Sequence, residues 1–125
     1  MDKKIIFHEN FYQTYSSDPA ADSGRMESII EALADFELIK PPFATVDDIL
    51  LVHTEDHLAR VKFSRDPVYE IALLAVGGAI LAAELALKRE PLFAAIRPPG
   101  HHASQTVFGV FAGSIILQLQ LKSYF

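Results

Sequence analysis

The apolar run Leu92 to Ile96 ends abruptly in Arg97-Pro98-Pro99-Gly100-His101-His102-Ala103, and this stretch constrains the path of the chain more than any other. Pro98 and Pro99 hold φ near one value and give up their backbone donors, whereas Gly100 can take dihedrals closed to other residues. The loop is therefore stiff by composition, and it carries two adjacent imidazoles directly after what reads as a buried strand. Histidine titrates near neutrality, so a pair held in place can take a proton from water and stabilise charge developing beside it. The competing reading is a loop whose polar side chains satisfy nearby backbone groups and nothing more.

Short apolar segments alternate with helical patterns along the rest of the chain, as they do in α/β proteins. Lys4 to His8 reads as a first strand. Ser16 to Gly24 is rich in turn residues, and Asp22 or Ser23 is placed to cap a helix whose apolar positions are Met26, Ile29, Ile30, Leu33 and Phe36. Pro41 and Pro42 interrupt that pattern. Thr45-Val46-Asp47-Asp48 predicts a capping box, Ile49 to Val52 is expected to be buried near His53, and Thr54 is expected to cap a helix carrying His57 and Val61. Asp66-Pro67 predicts the start of a long apolar helix running through Leu87, in which Gly77-Gly78 lowers helix propensity and permits close packing. Leu92 to Ile96 reads as a buried strand feeding the tandem-histidine loop, and functional loops at strand carboxyl ends are common in open α/β sheets.

The tandem-histidine loop resembles the signature Arg-Pro-Pro-Gly-His-His-Ala of the zinc-dependent histone deacetylase superfamily, which also contains acetylpolyamine amidohydrolases and acetoin-utilization proteins. All seven residues match at 97 to 103. Upstream, Phe7-His8-Glu9, the segment from Tyr15 through Arg25 and Met26, and Val52-His53-Thr54-Glu55-Asp56-His57-Leu58 resemble the N-terminal part of bacterial members. The resemblance implies the N-terminal part of an arginase- or deacetylase-like three-layer α/β/α fold with a parallel sheet, incomplete in this chain. It also implies hydrolysis of an acetyl-lysine-like amide or another acetylated amine with zinc-activated water. By the same resemblance His101 and His102 flank that water, one as general base and the other as an electrostatic or acid group. Arg25 is similar to a family arginine lining an internal channel, and Gly100 is assigned with it to the substrate or channel side.

In the family the zinc ligands come from an Asp-x-His pair and a second aspartate, with a carbonyl-polarising tyrosine further on, all downstream of the tandem histidines. No metal ligand is assigned within this chain, because those positions lie beyond its end at Phe125. The chain alone is expected to bind no zinc and to be inactive. The family pattern also breaks after Ser104: a Gly-Phe-Cys-x-Phe-Asn-Asn segment is replaced by Gly109-Val110-Phe111-Ala112-Gly113-Ser114. A synonymous encoding of Gln105 to Phe125, read from the third base of its first codon, gives Asn-Gly-Val-Trp-Gly-Phe-Cys-Trp-Phe-Asn-Asn and an apolar continuation. Residues 1–104 are therefore expected to form the N-terminal part of a deacetylase-like domain, and 105–125 to be an out-of-frame tail of a truncated protein.

Composition narrows the alternatives. A chain of 125 residues, 50% hydrophobic and 22% charged, is long and apolar enough for one domain with a core. A formal charge of -5 and a pI near 5.4 argue against nucleic acid or an anionic membrane as partner. The absence of cysteine excludes disulfides and thiolate metal sites. Only Ile5-Ile6-Phe7 follows the charged start, too short for a signal-peptide core, and the uncharged run Ile71 to Ala83 is shorter than a bilayer span. A cytoplasmic protein is expected.

Other candidate groups favour structural readings. His53 and His57 are four apart, but His-Thr-Glu-Asp-His lacks the glutamate directly after the first histidine that the metalloprotease helix needs. His53 is expected at a strand end and His57 on a helix surface or in packing. The Asp47-Asp48 and Glu55-Asp56 pairs fit the first turns of helices, where the dipole favours acid. In isolation His8 reads equally as a partly buried strand-end residue and Arg25 as a solvated helix-start charge. Three functions stay open: an inactive truncated deacetylase relative, half of a split hydrolase completed by a C-terminal partner fragment, and a noncatalytic binding domain.

Overall fold

Three short parallel strands form the centre of the protein, in the order β2-β1-β3, in a computed structural model that describes residues 3–64 and 68–99. β1 spans Lys4–Ile6, β2 Glu37–Ile39 and β3 Phe93–Ala94. Ile5 pairs in register with Leu38 on one side and Phe93 on the other, and Ile6 with Ile39 and Ala94. Ile5 and Ile6 are fully buried, as consecutive residues of a central parallel strand covered on both faces must be. Leu38 and Phe93, on the flanking strands, are 44% and 69% exposed. The α/β class and the parallel sheet expected from the sequence are present.

The helices are α1 (Arg25–Ala32), which carries the chain from β1 to β2, and α2 (Val46–Leu50), α3 (Glu55–Lys62) and α4 (Tyr69–Leu87), which carry it from β2 to β3. Two clusters of buried side chains share α4. Its Ile71, Leu74 and Ala75 join Ile5, Phe7, Phe11, Tyr15, Met26 and Ala95, while Ala72, Leu73 and Val76 join Ala44, Ile49 and Val61. A helix that feeds two cores must be apolar on more than one face, so α4 shows little amphipathic pattern. Its 19 residues also exceed the 13-residue uncharged run, so by length and composition alone it could cross a membrane. Ile71 through Gly78 are buried within the protein, whereas residues 79–87 are partly buried or exposed.

The glycine pair in α4 has a steric cause. A Cβ on Gly77 would lie 1.9 Å from the Pro42 carbonyl oxygen, and one on Gly78 2.9 Å from Ile96 Cγ2. The helix thus packs directly against the Pro41–Ala44 segment and the chain beyond β3, and Ala44 N–H donates to the Leu73 carbonyl at 3.0 Å.

Local signals at α2 and α3 act as the sequence indicates. Thr45 Oγ1 accepts from Asp48 N at 3.1 Å while Asp48 Oδ2 accepts from Thr45 N at 2.9 Å, a complete capping box. Thr54 Oγ1 accepts from His57 N at 3.2 Å. Elsewhere the elements differ. α1 is entered from Gly24 in the left-handed region, φ 86°, without a side-chain cap, so neither Asp22 nor Ser23 caps it. Asp22 lies two residues ahead of that entry with an extended backbone, and its carbonyl accepts from Arg97 Nη1 at 3.2 Å. α1 also stops at Ala32, and Leu33 and Phe36 reach the core from the following turn.

β1 ends at Ile6 rather than His8, although Phe7 N–H still donates to the Ile39 carbonyl at 2.9 Å. β3 is two residues rather than five, and Phe93 is exposed where burial was expected; Ala95 N–H extends the ladder to the Ile6 carbonyl at 2.9 Å. Between Ile49 and Val52 only Ile49 is fully buried, and Leu51 is 48% exposed. The expected Asp66-Pro67 helix start and the 105–125 tail lie outside the described residues; α4 begins at Tyr69, after Val68.

Candidate functional site at the carboxyl ends of the strands

Parallel strands send all their outgoing loops to one edge of the sheet, and the crevice lies where chains leave a central strand toward opposite sides. Here β1 is that strand, with β2 on one flank and β3 on the other. The long β1–α1 loop, residues 7–24, and the chain following β3 both start from this edge.

Arg97 ties the two together. It is 4% exposed, and all five of its N–H donors meet backbone carbonyls of the β1–α1 loop. Nε donates to Phe11 at 2.8 Å, Nη1 to Ala20 at 3.0 Å and Asp22 at 3.2 Å, and Nη2 to Tyr12 and Gln13 at 3.3 Å each. The Tyr15 ring lies against the guanidinium, centroid to Cζ 5.8 Å. A buried cation is tolerated only when its donors are satisfied, and here oriented carbonyl dipoles do that work. Burial pushes the Tyr15 phenol above its ordinary value, and the Arg97 charge pulls the other way. Beyond Arg97 the chain passes through a cis Arg97–Pro98 bond, a buried Pro98 and an exposed Pro99.

Of the residues singled out by sequence, Gly100, His101 and His102 lie outside the described residues. Arg25 is the first residue of α1 and is exposed. His8 follows β1 and is partly buried; its Nδ1 accepts from Asn10 N at 3.0 Å and lies 3.9 Å from Glu9 Oε2. His53 and His57 are brought together, ring centroids 4.6 Å apart, and are 3% and 4% exposed. His53 follows α2 rather than a strand, and His57 is buried in packing rather than on the surface of α3, because α3 turns that side toward its neighbours. Among the described residues no group of three or more His, Cys, Asp or Glu side chains could hold a metal ion, so they supply no coordination shell for zinc.

Sequence reasoning placed Arg97 in the signature loop but assigned it no contact of its own. Its partners are main-chain carbonyls more than seventy positions away, which leave no trace in side-chain identity.

No family model matches the chain. Two curated archaeal proteins do, each named a probable deacetylase. The protein from Methanothermobacter thermautotrophicus is 30% identical, covering 80% of this chain and 36% of its own length. The protein from Archaeoglobus fulgidus is 34% identical, covering 79% of this chain and 34% of its own length. Over most of its length the chain is thus similar to archaeal proteins named as probable deacetylases, and it spans about a third of their length.

Proposed function

We propose that the chain carries the tandem-histidine half of a deacetylase of the histone deacetylase superfamily, acting on the amide of acetylated lysine or another acetylated amine. The observation that carries this reading is the seven-residue match at 97 to 103, which follows a strand at the carboxyl edge of a parallel sheet. The two archaeal relatives support the deacetylase class. The arginase-like three-layer architecture belongs to the same reading, as does the assignment of Arg25 and Gly100 to the channel.

In this reading His101 and His102 handle protons: one takes a proton from the attacking water as the tetrahedral centre forms, and one returns a proton to the departing amine nitrogen. The described residues do not fit zinc, so the metal-binding carboxylates and histidine would have to come from outside them. On this reading turnover depends on metal-binding groups other than the described residues, which an assay of the chain by itself and joined to further coding sequence tests.

The test is acetate release from an acetyl-lysine peptide and from an acetylated diamine. The chain would be assayed alone and joined to the coding sequence that follows in the restored frame, with zinc supplied. Turnover only in the joined protein, lost in His101→Ala and His102→Ala, is expected. Turnover by the chain alone, or joined protein insensitive to both substitutions, would overturn the reading.

A further inference from the structure

We infer that His8 is a pH-sensitive latch on the β1–α1 loop: the neutral imidazole closes the first turn after β1, and on taking a proton from solvent it releases that turn and pairs with Glu9.

The latch sits where the loop leaves the central strand. Glu9–Tyr12 form a single tight helical turn, and His8, extended at φ -137° and ψ 141°, stands at its N-terminal boundary. His8 Nδ1 accepts from Asn10 N at 3.0 Å. A neutral imidazole accepts at one nitrogen only, so the ring proton lies on Nε2. Protonation adds an N–H at Nδ1, two donors then face each other, and the bond to Asn10 is lost. The other side-chain caps among the described residues are Asp18, Thr45 and Thr54. Each of those caps through an oxygen, which keeps a lone pair for the bond across the range in which an imidazole changes charge.

A partner for the imidazolium is already close. Glu9 Oε2 lies 3.9 Å from His8 Nδ1. The Glu9 carboxyl is held below its ordinary value by a hydrogen bond from its own backbone N–H and by Lys40, so it is charged when an imidazole titrates. Lys40, from the segment after β2, donates to Glu9 Oε1 at 3.0 Å and so bridges that segment to the loop. The charged groups around His8 are thus Glu9 on its own loop and Lys40 from beyond β2. Arg97, from beyond β3, holds the same turn through the carbonyls of Phe11, Tyr12 and Gln13.

An imidazolium drawn to Glu9 competes with Lys40, so one proton loosens the loop at Asn10 and at the Lys40 bridge together. The Phe7 ring packs on Phe11 and Tyr12, centroids 6.0 and 5.0 Å apart, and with the Arg97 clamp it keeps the rest of the turn seated. The change is therefore local. It falls at the carboxyl edge of the sheet, where open α/β folds take their ligands, and makes the β1 side of that edge tighter at neutral pH and looser in acid.

The experiment is an NMR titration of the full 125-residue chain from about pH 8 down to about pH 5, comparing the wild type with His8→Asn, His8→Ala and Glu9→Gln. It reads the nitrogen shifts of the His8 ring and the hydrogen-exchange protection of the Asn10 amide. In the wild type, Nδ1 is expected to be unprotonated at the alkaline end, and Asn10 protection to fall about fivefold with the same midpoint as the ring, the effect of losing an N-cap. His8→Asn caps with an amide oxygen that does not titrate, so its Asn10 protection stays high throughout; in His8→Ala it stays low. Glu9→Gln removes the charge that favours the imidazolium and moves the His8 midpoint to lower pH.

A neutral His8 that carries its proton on Nδ1 would overturn the inference, as would Asn10 protection that stays level through the His8 midpoint. A His8→Asn protein with the wild-type pH dependence, or a midpoint that Glu9→Gln leaves in place, would do the same. Should a variant not fold, the wild-type titration decides by itself, since both the ring tautomer and the Asn10 response are read there.

Discussion

The backbone carbonyl of Pro42 occupies the space that a side chain on Gly77 would need: a Cβ there would sit 1.9 Å from the oxygen. Alanine normally stabilises a helix relative to glycine by about 1 kcal/mol. At Gly77 the clash is with main chain, which cannot rotate away, and overpacking costs about 1–3 kcal/mol or more. Gly77→Ala is therefore expected to destabilise the protein by about 2 kcal/mol. Gly24→Ala is the informative contrast, since nothing lies within 4 Å of its added Cβ and only the φ of 86° opposes it. That strain costs about 1 kcal/mol, so urea denaturation should rank Gly77→Ala as the more harmful.

Thr45 and Thr54 each close the first turn of a helix through a side-chain oxygen. Replacement by alanine removes the acceptor and should cost about 1 kcal/mol in each case. Serine keeps the acceptor, so Thr54→Ser should stay within a few tenths of the wild type. Thermal melts of the four single variants, alanine and serine at each site, check this. A Thr54→Ala protein as stable as its serine counterpart would show that the cap bond contributes nothing.

Tyr15 makes stability depend on alkaline pH. Burial raises its phenol above the usual 10.0, the Arg97 charge opposing, so the folded state holds the proton longer than the unfolded state does. Where the folded state binds more protons, stability falls with rising pH. The contribution is complete below the ordinary phenol value and is lost as pH climbs through the raised one. Unfolding free energies measured from pH 8 to 11 should fall more steeply for the wild type than for Tyr15→Phe, the two curves running parallel below about pH 9.

Resequencing of genomic DNA across the codons for Ala103 to Phe125 bears on the tail. A one-base discrepancy or lesion near Ser104 and Gln105 is expected, restoring a frame that reads Gly-Phe-Cys-Trp-Phe-Asn-Asn and continues to an Asp-x-His segment. An intact frame as written would mean that the residues from Gln105 are native, and the out-of-frame reading would be wrong.

What could be read ahead of the structure was what depends on neighbours in the chain. The Thr45 and Thr54 caps, the apolar helix ending at Leu87, and the strand before Arg97 follow from short-range hydrogen bonding and hydrophobic pattern, and each is found. The signature at 97 to 103 was likewise visible as residue identity. Tertiary structure alone decided how those pieces are held. Asp22 does not cap α1 because the helix is entered two residues later, from Gly24 in the left-handed region, Phe93 on its flanking strand is exposed, and His57 on α3 is buried. The clamp itself joins main-chain carbonyls to a guanidinium across the fold. Every residue but the arginine contributes only its backbone, so no amino-acid pattern records the contact, and it exists only once β1 and β3 lie side by side.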